Sequence, residues 1–204
     1  MTYIGSRFAW DNEAAAITRS ILGQAAGFRS ERFEAADYIE VADSDQRLLI
    51  IPHGRPYHRR TGGRMLDSLL LPEGETCRRF SFTLDFDAAF PLQSVHDVIQ
   101  PLPSQPTSGQ LPKATSSWIL GLTAKNVQLA RARIQPGTAG RSLRLLLQET
   151  EGQAANCEIR LARPAQSASL IRADGTVIKE LALNNGIPSV RLAAFQLREV
   201  LIEL

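Results

Sequence analysis

Residues 141–152 read RSLRLLLQETEG, and this stretch decides the fold class. Leu143, Leu145 and Leu147 recur at every second position, which is the period of a β-strand, and Leu146 adds an apolar side chain to the other face. The run ends in an acidic turn closed by a glycine. This pattern predicts a strand that is buried on both faces, or nearly so, and that needs neighbouring strands to cover it.

Other short strands surround this one in the second half of the chain. Their apolar runs are residues 117–122, 126–134, 156–163, 167–173, 177–183, 189–194 and 197–204. Pro-Gly, Asp-Gly and Asn-Gly pairs between them are typical turn sequences. Closely spaced strands without intervening helices exclude a parallel sheet and predict a mainly β fold, an antiparallel two-sheet β-sandwich.

The first half of the chain has a more varied pattern. Residues 11–28 carry the only helical spacing of apolar side chains, so we expect one short N-terminal helix there. Residues 38–41 and 47–51 predict a β-hairpin. Residues 78–87 alternate between apolar and polar side chains, which predicts a half-buried antiparallel strand.

Five prolines between Phe90 and Lys113 predict a long extended connection. We therefore interpret residues 1–204 as a single large β-sandwich region with a soft internal division at the Pro-rich connection 101–114. At this length about 70% of the surface of the unfolded chain can be buried, so the region can form its own core.

Composition limits the partners. The chain has 23 Lys and Arg against 21 Asp and Glu, with no basic tract, so nucleic acid is not expected as a partner. No run approaches the ~20 apolar residues of a membrane helix, and no export signal is evident, so we expect no membrane association and a cytoplasmic location. Cys77 and Cys157 match no metal spacing and are predicted to be reduced thiols, although one disulfide between them stays open.

Residues 53–64, HGRPYHRRTGGR, bring four arginines, two histidines and three glycines into one short stretch. We expect a loop here. Its candidates for ligand binding or domain docking are His53, Arg55, His58, Arg59, Arg60 and Arg64. The planar guanidinium fork of arginine can hold a carboxylate or sugar hydroxyls. The alternative is a charged loop that docks on another domain or stays solvated.

Two other groups of side chains, a possible zinc site and a possible carboxylate pair, are less well supported by the sequence. His53, His58 and Asp67 suggest zinc only by composition, and solvent-exposed loop histidines are favoured instead. Asp85 and Asp87 lie about 7 Å apart on one strand face, within the range of a glycosidase pair, but the solvated face of an amphipathic strand explains them better. We therefore predict no catalytic residue and no metal ligand.

Aromatic side chains offer a further option. Trp118, with Tyr57 and Trp10, could form a platform on which sugar rings stack. The alternating sequence around Trp118 favours a position in the core instead.

Residues 144–152, RLLLQETEG, resemble the strand and turn of the C-terminal β-sandwich in glycoside hydrolase family 38, the class II α-mannosidases. Residues 117–127 before them and 168–175 after them resemble flanking segments in the same order. Residues 190–200 are similar to the family's final hairpin, except that Gln196 stands where the family usually has Glu.

The resemblance covers residues 113–204 best and residues 3–112 more loosely. It implies that the chemistry lies elsewhere, because the family keeps its carboxylate nucleophile, its acid/base carboxylate and its zinc on an N-terminal α/β domain. No position of this chain matches those residues, so no cofactor is expected in this chain, and the chain itself is predicted to be inactive.

The resemblance also implies a role. We expect a non-catalytic C-terminal β domain that braces the N-terminal catalytic domain of the same polypeptide and completes its sugar cleft through residues 53–64. A mannose-containing glycan is then the expected ligand. The alternatives are a free-standing carbohydrate-binding module and a structural or oligomerisation domain.

Overall fold

The computed structural model describes residues 3–71, 74–100, 118–137 and 140–204. The chain divides into two compact units, Met1–Pro101 and Leu102–Leu204. Strands dominate the described residues, every strand pair is antiparallel, and one helix is present among them. The mainly β antiparallel fold is therefore confirmed. The connection 101–114 lies outside the described residues, and the treatment of residues 1–204 as one region stays a prediction.

Within residues 3–71 and 74–100, the first unit contains nine strands and the helix. The elements are β1 (Ile4–Ala9), β2 (Ala16–Ile21), β3 (Gln24–Gly27), β4 (Arg32–Glu34), β5 (Ile39–Ala42), β6 (Arg47–Ile51), β7 (Tyr57–Arg60), β8 (Met65–Leu71), β9 (Thr83–Phe86) and α1 (Pro91–Ile99). They form a four-stranded sheet in the order β1-β8-β7-β4 and a five-stranded sheet in the order β3-β2-β5-β6-β9.

The core of the first unit has two layers, one on each face of the five-stranded sheet. Ile39 and Ile50 of that sheet share a buried cluster with Phe33 and Leu66 of the four-stranded sheet, so the two sheets face each other. On the opposite face, Leu49 and Ile51 pack with Leu92 and Val95 of α1. The central strands β5 and β6 are consequently buried on both sides, which explains why their hairpin is predicted correctly.

The prediction of a helix over residues 11–28 is wrong. The segment forms the hairpin of β2 and β3, joined through Leu22 and Gly23, whose φ angles are 53° and 72°. Two consecutive residues with positive φ match the right-handed twist of paired strands, and this local turn overrides the helical spacing. The helix lies instead within the expected extended connection, where Pro91 occupies the first helical turn and needs no hydrogen-bonded N–H there.

The alternating segment 78–87 forms a shorter strand than expected. Strand β9 covers only residues 83–86, and its apolar side chains are not buried, since Leu84 is 46% exposed and Phe86 is 68% exposed. The reason is its position, because β9 ends the five-stranded sheet. An alternating pattern predicts two different faces but cannot tell an edge strand from a central one.

Within residues 118–137 and 140–204, the second unit contains nine strands in two sheets. They are β10 (Leu120–Leu122), β11 (Val127–Pro136), β12 (Arg141–Glu149), β13 (Ala155–Leu161), β14 (Ser167–Ile171), β15 (Val177–Glu180), β16 (Leu183–Asn184), β17 (Ile187–Leu192) and β18 (Leu197–Glu203). The sheet orders are β10-β13-β17-β16 and β11-β12-β18-β14-β15. Except for the two-residue strand β16, each of them falls at a run predicted from the sequence.

One hydrophobic cluster joins the two sheets of this second unit. Leu145 and Leu147 of β12 are fully buried in it together with Ile159 from the other sheet. Leu143 on the same face and Leu146 on the other face are partly buried, so β12 is covered on both faces but not completely. Cys157 belongs to this cluster as a free thiol, and Cys77 in the first unit is also free.

Strand β15 closes the five-stranded sheet of the second unit as an edge strand. All four of its residues are exposed, including Val177 at 54% and Ile178 at 49%. The charged pair Lys179 and Glu180 completes the strand. In the described residues no helix has the length and apolar character required to cross a membrane.

Candidate functional site

Residues 53–64 are not one loop. They form a turn at His53 and Gly54, then strand β7, and then a second turn that leads into β8. Strand β7 lies between β4 and β8 in the four-stranded sheet. The six candidate residues are therefore distributed over two faces and both ends of a strand, and the structure does not gather them into one site.

The imidazole of His58 is buried, contrary to the expectation of exposed loop histidines. Its ring is 2% exposed and lies 5.4 Å from the ring of Phe33 in a stacked arrangement. Its Nε2 lies 3.3 Å from the carbonyl oxygen of Ala35, and its Nδ1 lies 2.9 Å from the Ser68 hydroxyl. A carbonyl only accepts, so Nε2 carries the proton and Nδ1 accepts from Ser68. Burial lowers the pKa of His58 to about 4, which makes it a neutral core residue at pH 7.

The first turn of the segment is tied to neighbouring segments. His53 Nε2 lies 2.8 Å from the hydroxyl of Thr83 on β9. Arg55 donates to Glu75 at 3.0 Å and places its guanidinium 4.8 Å from the centre of the Phe80 ring. An arginine that is both paired and stacked is a structural contact of the turn.

The second turn is held by arginine contacts to backbone carbonyls. Arg60 donates to the carbonyl oxygens of Gly62 and Gly63, each at 3.2 Å. Arg64 donates to the carbonyl oxygen of Asp11, also at 3.2 Å. Both guanidinium groups therefore stabilise the turn between β7 and β8.

Arg59 faces an ion-pair network on the other side of the sheet. It pairs with Glu31 at 2.6 Å. Next to it on β8, Asp67 accepts two bonds from Arg7, at 2.6 and 2.9 Å, and one from the Tyr3 hydroxyl at 3.0 Å. The hydrogen bond from Arg7 lowers the pKa of Asp67, so this carboxylate is ionised and fully engaged.

A cavity of about 270 Å³ opens on this face of the four-stranded sheet. It is lined by Tyr3, Arg32, Phe33, Glu34, Tyr57, His58, Arg59 and Leu69. The register of β4 and β7 sets Arg32 opposite Arg59 and Glu34 opposite Tyr57. Of these eight residues, the sequence indicated His58 and Arg59 as site candidates and Tyr57 only as a stacking ring.

Arg32 and Glu34 carry only a short sequence signal, which does not show that they lie near Tyr57. Arg32 and Glu34 lie about 25 residues before Tyr57 in the chain, and only the pairing of two short strands brings them together. The signal that could have helped is the alternation Arg-Phe-Glu over residues 32–34, which places two charged side chains on one face.

The zinc and carboxylate-pair constellations do not fit the structure. His58 is engaged at both ring nitrogens and Asp67 is held by Arg7, so neither is free to bind a metal ion. Among the described residues, no three His, Cys, Asp or Glu side chains are grouped closely enough to hold one. Asp87 lies beyond the end of β9, where it accepts a hydrogen bond from the backbone N–H of Arg47.

The tryptophans also differ from the expectation. Trp118 is 57% exposed, so its predicted core position is wrong. Trp10 is partly buried against the cluster of the first unit. Tyr57 is 55% exposed and is the aromatic ring of the proposed platform that lines a cavity.

The architecture is similar to two solved structures. A protein in glycosyl hydrolase family 38 from Enterococcus faecalis matches 93% of this chain with a TM-score of 0.66 and 10% sequence identity. An α-mannosidase from Enterococcus faecalis V583 matches 97% of the chain with a TM-score of 0.68 and 12% identity. The chain has a family 38 fold. It spans 25% of the length of each of those two chains.

This likeness is one of fold. No family model matches the sequence, and no curated protein matches it. The match in fold nevertheless covers 97% of the chain, more than the segments in which the sequence resemblance is best. The family resemblance first indicated by residues 144–152 is thus confirmed in three dimensions.

Proposed function

We propose that this chain is a non-catalytic C-terminal β domain of an α-mannosidase-like glycoside hydrolase. In this proposal it braces the catalytic domain of the same polypeptide and completes the sugar cleft of that domain. The observation that carries the proposal is the extent of the fold match, because nearly all of this chain corresponds to one quarter of each family 38 structure.

The chemistry of the described side chains supports a non-catalytic role. A glycosidase needs two carboxyl groups that face each other across a sugar site, one of them able to give a proton. Asp67 is instead held ionised by Arg7, and Glu199 of β18 is held ionised by Arg144, whose hydrogen bond lowers the pKa of that carboxyl. Zinc and the catalytic carboxylates belong, in this proposal, to the catalytic domain.

The coding DNA upstream of Met1 tests the proposal directly. We expect an open frame that encodes an α/β domain with Asp and His zinc ligands. A complete gene that lacks such a domain would contradict the scaffold role and favour a free-standing carbohydrate-binding module or a structural or oligomerisation domain.

Two protein experiments extend the test. The purified chain alone should not hydrolyse aryl α-mannosides, with or without added zinc, and turnover that persists through purification would overturn the assignment. The encoded catalytic region should copurify with the chain when both are coexpressed and should unfold at a higher temperature than when it is expressed alone. Failure to copurify would count against a bracing role.

A further inference from the structure

Three side chains on β4 and β7 are directed to the same cavity without being used by the fold. Arg32 and Glu34 alternate on the edge strand β4, and their side chains are exposed. Tyr57 lies opposite Glu34 on β7 and is 55% exposed. In the part of the chain that the structure describes, no ion pair or hydrogen bond engages the side chain of Arg32 or Glu34.

The neighbouring charges on this face are already balanced. Arg59 is paired with Glu31, and Arg7 is paired with Asp67. The groups left over are one guanidinium, which only donates, and one carboxylate, which accepts. A ligand that fits them must both accept and donate hydrogen bonds while carrying no net charge, because an anion would meet Glu34 and a cation would meet Arg32.

The shape and lining of the cavity narrow the ligand further. A volume of about 270 Å³ is near the lower end for ligand pockets, which run from roughly 300 Å³ upward, so it suits a single ring. Tyr57 and Tyr3 present aromatic surface and Leu69 an aliphatic one. Aromatic faces pack favourably against the apolar C–H side of a ring whose edge carries hydroxyl groups.

We propose that Arg32, Glu34 and Tyr57 form a binding site for one pyranose unit of a neutral carbohydrate. Arg32 donates to ring or hydroxyl oxygens, Glu34 accepts from hydroxyl groups, and Tyr57 packs against the C–H face. The inference deepens the sugar-binding part of the proposed function and rests on it, but it assigns the contact to residues other than the paired Arg59 and the turn residue Arg60.

The full chain is titrated with methyl glycosides of mannose, glucose and galactose, and binding is followed by NMR. The methyl glycoside of glucuronic acid serves as the charged comparator. We expect at least one neutral glycoside to bind and the acidic one to bind more weakly. Loss of one good contact weakens binding by about tenfold. We expect that loss from Tyr57→Ala, from Arg32→Ala and from Glu34→Ala.

Controls separate a lost contact from a damaged fold. Tyr57→Phe keeps the aromatic ring and should retain binding. Arg163→Ala and Glu180→Ala remove exposed charges of the same types in the second unit and should bind like the unchanged chain. Thermal unfolding of every variant should stay unchanged, since the three side chains are exposed.

Absence of binding to all neutral glycosides would overturn the inference, as would preferential binding of the acidic one or unchanged binding in Tyr57→Ala. None of these results touches the upstream reading frame or the copurification experiment. Failure of this site and failure of the scaffold role are therefore distinguishable.

Discussion

The two units use charged side chains in different ways. In the second unit Glu199 is only 6% exposed and is clamped between Arg131 and Arg144 at 2.9 and 2.7 Å, so the ion pairs hold neighbouring strands together. In the first unit Arg32 and Glu34 of the edge strand β4 line a cavity, and no side chain of the described residues pairs with them. Buried carboxylates thus join strands in both units, since Asp67 is held by Arg7 in the first unit as Glu199 is held in the second. The difference lies at β4, whose charged side chains are the ones that our proposal assigns to a ligand.

The turn after β12 in the second unit is held by hydrogen bonds to a buried carboxylate. Glu149 is fully buried and accepts from the backbone N–H groups of Phe195 at 2.7 Å, Glu151 at 2.9 Å and Gly152 at 3.0 Å, and from the Asn126 amide at 3.0 Å. Burial raises the pKa of Glu149, but these hydrogen bonds outweigh it and lower the pKa overall. The acidic turn therefore has a structural role and is not a candidate site.

The largest effect is expected in the core of the second unit. Leu147→Ala removes a fully buried side chain from the cluster that joins both sheets. We expect the free energy of unfolding in urea to fall by about 2 to 5 kcal/mol. Leu197→Ala, at a 53% exposed position of the adjacent strand β18, is the matched control and should change it by less than about 0.5 kcal/mol. Equal losses would show that this unit lacks a single dominant core.

A pH-dependent effect is expected in the first unit. The pKa of His58 is about 4 in the folded chain and 6.5 when unfolded, so the unfolded state binds the proton more tightly. Stability should be intact above pH 6.5 and should fall by up to about 3 kcal/mol as the pH drops toward 4. Hydrogen exchange of the β7 and β8 amides measures this loss.

A His58→Gln variant separates this effect from that of the carboxylates. Asp67 and Glu199 have lowered pKa values, so the stability that they contribute is lost only below their unfolded pKa values near 4. In the variant, the free energy of unfolding should therefore no longer change between pH 6.5 and about 4.5. An unchanged slope would contradict the role of a buried neutral imidazole.

The smallest effect concerns the ion pairs of the second unit. Glu199→Gln should lower the free energy of unfolding by about 1 to 2 kcal/mol, because two guanidinium groups lose a partly buried charged partner. Glu158→Gln removes an exposed partner of Arg160 and should cost less than about 0.5 kcal/mol. Urea unfolding of the two variants measures both losses. Equal losses in the free energy of unfolding would show that the buried ion pairs stabilise the chain no more than the exposed one.

The sequence predicts the second unit well for a physical reason. Its strands alternate in hydrophobicity, and turn residues separate them, so local pattern and tertiary burial agree. In the first unit the apolar residues of 11–28 have helical spacing, but the turn at Leu22 and Gly23 divides the segment into two strands. Leu84 alternates like a half-buried strand residue, but it lies on an edge strand and stays exposed. Local pattern carries no information about which strand ends a sheet.

The candidate site was only partly predictable. The arginines of residues 53–64 attract notice by their density, but Arg55, Arg60 and Arg64 serve the turns that flank β7. His58 looks like a surface residue in the sequence, although Ser68 and Ala35 satisfy both of its nitrogens in the core. The uncommitted groups Arg32 and Glu34 come close to Tyr57 only through strand pairing.

The exposed strand β15 has a consequence for the isolated chain in concentrated solution. An edge strand with unpaired backbone groups and apolar side chains such as Val177 and Ile178 can recruit a strand from another molecule. Lys179 and Glu180 interrupt that apolar surface with charge, and charged edges are a common protection against aggregation. We therefore expect Lys179 and Glu180 to limit the association of purified molecules through β15, although both side chains are exposed.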